Sequence, residues 1–293
     1  MQIGLLGLGK MGGGMALRLV RGGHQVVGAD LSAASRERAE AVGAKAVGSL
    51  RELVSELAAP RIVWVMLPPG DLTRAAVDEL AAMLEPGDLV VDGGNSDFRD
   101  APHHAATLGA RDIRFADVGT SGGQWGWQNG YGLMVGADDA TYAELVPFLD
   151  ALAAENGYSL VGGVGAGHLV KAIHNGVQYG VLQAYAEGFA LLEGHPEVDT
   201  LAAMSAWQGG SSIRSWLLEQ TVEALRENPT LDGVDSRVSD SGMGRWTAEE
   251  AIRLAIPTPV LTAGLQARFA SRADSAQQRL LVAARGRIGG QKS

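Results

Sequence analysis

Four polar side chains set into an otherwise apolar stretch are the first candidates for chemistry. In residues 164–180, VGAGHLVKAIHNGVQYG, Lys171, His174, Asn175 and Gln178 fall within roughly one quadrant of a helix at 100° per residue, while Leu169, Val170, Ile173, Val177 and Val181 cover the other faces. An apolar rod of this kind is expected to be buried in a helical domain. Its polar stripe then needs partners or a ligand, because a desolvated amine with nothing to bond is costly. Taken singly, each residue fits a satisfied polar network between core helices. Four together, opposite a nucleotide-binding half, favour a catalytic face.

The second constellation lies at the start of the chain. The apolar run 2–6 ends in Gly7-Leu8-Gly9-Lys10-Met11-Gly12, after which Met15, Leu17, Leu19 and Val20 keep helical spacing. In such a strand–turn–helix the first glycine permits the tight turn and the second lets backbone approach a pyrophosphate. The third lets helix pack on strand, and the helix N-terminus faces the anion. A lone GxGxxG is a weak signal. Here a second strand, 25–29, leads to Asp30, close to the usual ~20-residue offset of the ribose-binding acid. Asp30 would accept bonds from ribose hydroxyls and repel a 2′-phosphate, so NAD is preferred to NADP. Against this, Arg36 and Arg38 lie nearby, and Asp30 could instead cap the next helix, which Ser32 would do equally well.

These residues need elements to hold them. Strand runs at 61–67 and 88–91 with a helix at 72–84 continue a βα rhythm, and further strands are expected at 113–118, 132–135 and 158–161, with a helix at 140–153. Loops at the carboxyl ends of such strands are where ligands bind. Leu67-Pro68, residues 92–96 with Asn95, and the segment Gly119-Thr120-Ser121-Gly122-Gly123 occupy those places. The last is read as a glycine loop whose exposed N–H groups suit a carboxylate or phosphate. After about residue 165 strand patterns cease, and helices are expected over 166–192, 198–207, 213–225, 247–255 and 260–284. The fold expected is an α/β Rossmann-type domain with a mostly parallel sheet (1–164), followed by an all-α substrate and oligomerisation domain (165–293). The tail, 285–293, is expected to be loose or lent to a partner subunit. Arg245, Arg268 and Arg272 are the basic residues available to an anionic substrate, the last two at i, i+4 on one helix face, with solvated surface arginines the alternative.

Composition narrows the partners. The 293 residues are 46% apolar, and 24 basic against 33 acidic side chains give a formal charge of −9, which argues against nucleic acid or anionic membrane. Without cysteine there is no disulfide, thiolate metal site or cysteine nucleophile. No signal segment or membrane-length apolar run is evident, and a cytoplasmic location is expected. The adjacent His103-His104 pair is expected on a surface loop and not as a metal site, and no metal is expected elsewhere.

GLGKMG, VDGGNS (91–96), the TSGG segment and GHLVKAIHNGVQYG together resemble the decarboxylating 6-phosphogluconate dehydrogenases of the β-hydroxyacid dehydrogenase superfamily, in their short form. RWTAEEA (245–251) and ARFASR (267–272) extend the likeness over nearly the whole chain. The resemblance implies that Lys171 is the general base at the substrate's C3 hydroxyl, which requires a neutral amine and so a pKa well below its usual value. It implies that Asn95, Ser121, Gly122, Gly123, His174 and Asn175 hold the substrate's hydroxyls and carboxylate, and that Tyr179 and Arg268 hold its phosphate. It places NAD on Gly7, Leu8, Gly9, Lys10, Met11, Gly12, Asp30, Leu67, Pro68 and Asn95, and it implies a homodimer or homotetramer. Three departures stand near the substrate. Gln178 replaces the family's acid glutamate and has no proton to give. Met243 stands where short forms carry glutamate, and Gln291 where they carry histidine; Gly14 also replaces a usual asparagine. The alternatives are a non-decarboxylating hydroxy-acid dehydrogenase and a catalytically weakened NAD-binding regulatory protein.

Overall fold

Short apolar runs separated by glycine turns build a wound βα unit. The computed structural model describes residues 1–272; Gln291 and the 285–293 tail lie outside the described residues. The chain divides into one compact unit, Met1–His174, and a second that begins at Asn175. The first comprises β1 (Gln2–Leu6), α1 (Lys10–Arg21), β2 (Gln25–Ala29), α2 (Ala33–Ala41), β3 (Lys45–Val47), α3 (Leu50–Ser55), β4 (Ile62–Val65), α4 (Asp71–Met83), β5 (Leu89–Asp92), α5 (Ala101–Gly109), β6 (Arg114–Ser121), α6 (Gly126–Asn129), β7 (Tyr131–Gly136), α7 (Asp139–Leu152) and β8 (Ala153–Gly162). The strands form one eight-stranded sheet in the order β3-β2-β1-β4-β5-β6-β7-β8. All neighbours run parallel except β6 and β7.

Alternation along each strand feeds two cores, one per face. Ile62 and Trp64 of β4 join Ile3, Leu5 and Phe148 on one side, while Val63 and Val65 join Val27, Leu80 and Val90 on the other. Burial on both faces is why β4 and β5 are wholly apolar up to Asp92. Ser32, Ser49 and Asp138 cap α2, α3 and α7 through their side chains, so the cap of α2 is Ser32 and Asp30 is left for another task.

Helix α8 (Ala166–Glu193) carries the chain from the first unit into the second, which continues with α9 (Thr200–Gln208), α10 (Trp216–Glu227), α11 (Met243–Arg253) and α12 (Pro259–Ala270). Within the second unit Met204, Leu218, Val222 and Leu225 form a core with Tyr185 and Phe189 of α8. Gly264 of α12 lies so close to α8 that a Cβ there would sit 2.9 Å from the Tyr179 carbonyl.

Several expectations are corrected. Residues 119–121 are not loop but the end of β6, because β7 turns back and pairs with them, Thr120 opposite Leu133. His103 and His104 lie in α5, where His104 falls at i+3 from Ala101 and i−4 from Leu108 on the buried face and is 2% exposed. The α8 rod is not sealed along its length: Ile173 and Val177 are 41% and 48% exposed in the single chain, while Lys171 and Tyr179 on other faces are buried. Helix α12 ends at Ala270, so Arg272 stands beyond it instead of one turn along it.

Candidate active site

The carboxyl ends of β1, β2 and β4 meet where the strand order reverses, and there the first unit opens a cavity of about 480 Å³ lined by Leu6, Gly7, Asp30, Leu50, Leu67 and Glu79. The turn at its floor needs its glycines. Gly7 has φ +96° and a Cβ there would lie 2.6 Å from the Met66 carbonyl; one on Gly12 would lie 2.0 Å from the Gly7 carbonyl. Gly9 meets nothing within 4 Å, and α1 starts behind it with no side-chain cap and no acidic residue in its first turn. The uncapped N–H groups of Lys10, Met11 and Gly12 therefore suit an anion. Asp30 accepts from the Leu8 N–H (2.8 Å) and the Ser32 N–H (2.8 Å), which fixes its carboxylate at the cavity's edge with lone pairs to spare. Arg36 is spent on the carbonyls of Asp30 and Leu31, and Arg38 on Ser35. After β4, Leu67 lines the cavity and the Pro68 carbonyl accepts from Thr73, anchoring α4. These residues fit a dinucleotide with free ribose hydroxyls.

The second group gathers around the first turns of α8. Lys171 is 5% exposed, and burial pushes its ammonium down to about 8 from the ordinary 10.5. Its Nζ lies 3.4 Å from His174 Nδ1, and His174 Nε2 lies 3.5 Å from Ser121 Oγ. Asn95, at φ +56°, turns its amide onto β6: it donates to the Thr120 carbonyl (2.9 Å) and accepts from the Thr120 N–H (2.8 Å). It therefore clamps the strand end that presents Ser121, Gly122 and Gly123. A partly neutral amine at neutral pH, an imidazole, a hydroxyl and a primary amide on one patch can take a proton from an alcohol and hold a polyhydroxy acid.

Sequence reasoning missed the layer beneath. Asp92 and Asp117, both fully buried, end up beside His168 of α8. Asp117 accepts from the N–H groups of Gly165 (2.6 Å) and His168 (2.8 Å), capping α8 from β6. His168 Nε2 stands 3.2 Å from Asp92 Oδ2, an ion-pair distance with angles outside those of a hydrogen bond, and His104 Nδ1 stands 4.0 Å from the same oxygen. Burial would lower the His168 pKa, but Asp92 and then Asp117 outweigh it and raise it; burial would raise Asp92, but His168 holds it below the usual carboxylate range. Burial pushes Asp117 up and His104 down.

In the second unit, Arg268 stacks over the Tyr179 ring with 3.4 Å from Cζ to the centroid, and its Nη1 donates to the Ser239 carbonyl. Arg245 Nε (3.2 Å) and Arg272 Nη2 (4.0 Å) converge on Asp240, whose side chain is fully buried. Tyr179 and Arg268 are thus brought together beside a cavity of about 350 Å³, while Arg245 neutralises a carboxylate. Met243 is 3% exposed at the start of α11. Gln178 lines a separate apolar groove with Leu182, Phe189 and Trp216. Asn175, the first residue of this unit, makes further contacts and is not a free amide.

Among the described residues no helix is long and apolar enough to cross a membrane, and no group of three His, Cys, Asp or Glu could hold a metal ion.

Residues 2–165 match the family described as the NAD binding domain of 6-phosphogluconate dehydrogenase, and residues 167–288 match the C-terminal domain of 6-phosphogluconate dehydrogenase. An NAD(+)-dependent, decarboxylating 6-phosphogluconate dehydrogenase of Haloferax volcanii is 42% identical over 285 residues, covering 96% of this chain and 94% of its own. The fold is similar to that of the Plasmodium falciparum 6-phosphogluconate dehydrogenase, with a TM-score of 0.85 at 24% identity over 99% of this chain and 65% of that one, so the chain spans about two thirds of that enzyme's length. A 3-hydroxyisobutyrate dehydrogenase of Salmonella typhimurium matches with a TM-score of 0.77 at 27% identity over 94% and 95% of the two chains.

Proposed function

We propose that this chain, which belongs to the 6-phosphogluconate dehydrogenase family, oxidises the C3 hydroxyl of 6-phosphogluconate, or of a close phosphorylated sugar acid, with NAD and releases CO₂ to leave ribulose 5-phosphate. The observation that carries the reading is the Lys171 amine, buried, lowered to about 8 and in contact with His174, whose other ring nitrogen faces Ser121. NAD, when bound at Gly7, Gly9, Gly12 and Asp30, supplies the two-electron acceptor. Lys171 takes the hydroxyl proton, and Asn95, Ser121, His174 and Asn175 orient the carboxylate and neighbouring hydroxyls. Tyr179 and Arg268 receive the phosphate. Once C3 is a ketone the C1–C2 bond breaks, its electron pair passing toward the C3 oxygen, and the resulting enediol is protonated at C2. Gln178 cannot be that donor. The proton comes from Lys171, left protonated by the first step, from Tyr179, or from water.

The reading is tested by mixing the protein with NAD and 6-phosphogluconate and following NADH absorbance together with evolved CO₂; NADH from 6-phosphogluconate is expected, and its absence with every phosphorylated sugar acid tried would overturn it. A second reading, favoured by Gln178 in its apolar groove and by the 3-hydroxyisobutyrate dehydrogenase likeness, is oxidation of a related hydroxy acid without decarboxylation. NADH formation with no CO₂ would select it, and cofactor binding without turnover on any acid would select a regulatory protein.

Two further outcomes are expected. Gln178→Glu should raise the ratio of CO₂ to NADH, and an unchanged ratio would remove position 178 from the proton donor's place. Asp30→Ser removes a charged acceptor worth about 1.5–3 kcal/mol, so the KM for NAD should rise about ten- to a hundredfold while NADP becomes usable. Initial rates with each dinucleotide decide it; an unaltered NAD to NADP preference would contradict the assignment of Asp30. The assembly proposed is a homodimer or larger, supported by the exposed apolar side chains Ile252, Leu254, Ile256 and Val260 of the second unit, and light scattering reads it directly.

A further inference from the structure

We propose that His168 is a positioning residue for Lys171: paired with Asp92 beneath the site, it locks the α8 turn that bears the amine to the loop that bears Asn95. The inference rests on Lys171 being the base.

The geometry is a closed circuit. His168 Nε2 lies 3.2 Å from Asp92 Oδ2, and Asp92 Oδ1 accepts from the Gly94 N–H at 3.0 Å. Asn95, next in sequence, bonds twice to the Thr120 backbone, and Ser121, next after that, lies 3.5 Å from His174. His174 reaches Lys171 at 3.4 Å, and Lys171 returns to His168 by one turn of α8. Asp117 holds the same turn from β6 through the N–H groups of Gly165 and His168. Every side chain assigned to the reaction in the first unit is therefore tied, through His168 and Asp92, to one pair of strand ends.

The charges facing this turn come from three elements besides α8 itself. Asp92 extends from β5, Asp117 from β6, and His104 from α5, with Asp100 at the α5 start and His103 beside His104. Burial pushes Asp117 up and His104 down, whereas His168 and Asp92 each favour the other's charged form. Burial alone lowers Lys171, and neither carboxylate contributes, so His168 acts on the amine by placing it and not by charge.

His168→Leu removes the tie to Asp92 and His168→Gln keeps it, because the amide can still donate to Asp92. His168→Leu is expected to lower kcat for NADH formation about ten- to a hundredfold with the KM for NAD unchanged, and His168→Gln to recover most of the rate. A folded His168→Leu protein with the wild-type kcat, or a His168→Gln protein no faster than it, would overturn the proposal. Should His168→Leu not fold, imidazole ¹⁵N NMR on the unaltered protein decides: one of the six histidines is expected to keep imidazolium shifts to a higher pH than the other five, and titration of all six at or below the ordinary imidazole value would overturn the pairing. The NMR readout needs no turnover, so failure of the assigned reaction and failure of the pairing are told apart.

Discussion

Replacing Lys171 with methionine is expected to lower kcat/KM for NADH formation by about 10²–10⁴-fold and, at the same time, to make the folded protein more stable at pH 7. The rate falls because no other group among the described residues combines a lowered pKa with a place beside His174. The stability rises because an ammonium is held where only 5% of the residue meets solvent. Its native pKa of about 8 against an ordinary 10.5 means that below pH 8 both folded and unfolded chains bind the proton and the folded state bears the whole penalty, about 3 kcal/mol. Between those two values the unfolded chain alone keeps its proton, so wild-type stability climbs with pH. The methionine variant's advantage should therefore be full below about pH 8 and vanish toward pH 10.5. Denaturant unfolding of both proteins across that range measures it, and a methionine variant less stable at pH 7 would contradict the burial of a strained amine.

Gly119→Ala should be nearly as damaging without touching a functional group. A Cβ at residue 119 would lie 2.5 Å from the Gly167 carbonyl and 2.5 Å from Lys171 Cβ, so the end of β6 and the first turns of α8 would have to part. Overpacking of this kind costs about 1–3 kcal/mol, and a shift of about 1 Å in a catalytic group can cost on the order of 10²-fold in rate. Gly109→Ala is the matched control: it ends α5, meets nothing within 4 Å and has an ordinary φ. It should leave activity intact and stability unchanged or slightly raised. Parallel unfolding and rate measurements on the two variants test whether the helix-to-strand distance sets the site.

What could be read from sequence is what lies close together along the chain. The glycine turn, Asp30 after β2, and the Lys171–His174 pair are contiguous patterns with the period of the element that carries them, and the structure places each where that period puts it. The buried layer was not legible in this way. Asp92, Asp117 and His168 come from two strands and a helix far apart in sequence, and each looks like an ordinary polar residue at the end of an apolar run. A signal existed for His104, since Ala101, His104 and Leu108 repeat at i, i+3 and i+7, the buried face of a helix. The TSGG segment reads as loop because glycine and serine dominate it, yet pairing with β7 makes its first residues strand. Gln178 and Met243 were legible as departures from the family pattern, but their surroundings, an apolar groove and a closed helix start, depend on which helices pack against them.

The account turns on a neutral Lys171 amine taking the proton. The most direct measurement is the pH dependence of kcat/KM for NADH formation from 6-phosphogluconate, which reports groups on the free enzyme, run on wild type and Lys171→Met together. The account predicts an acid limb with its midpoint near the Lys171 value of about 8 in the wild type, and no such limb in the slow residual reaction of the variant. Equal rates for the two proteins, or a limb that persists unchanged in the variant, would contradict it.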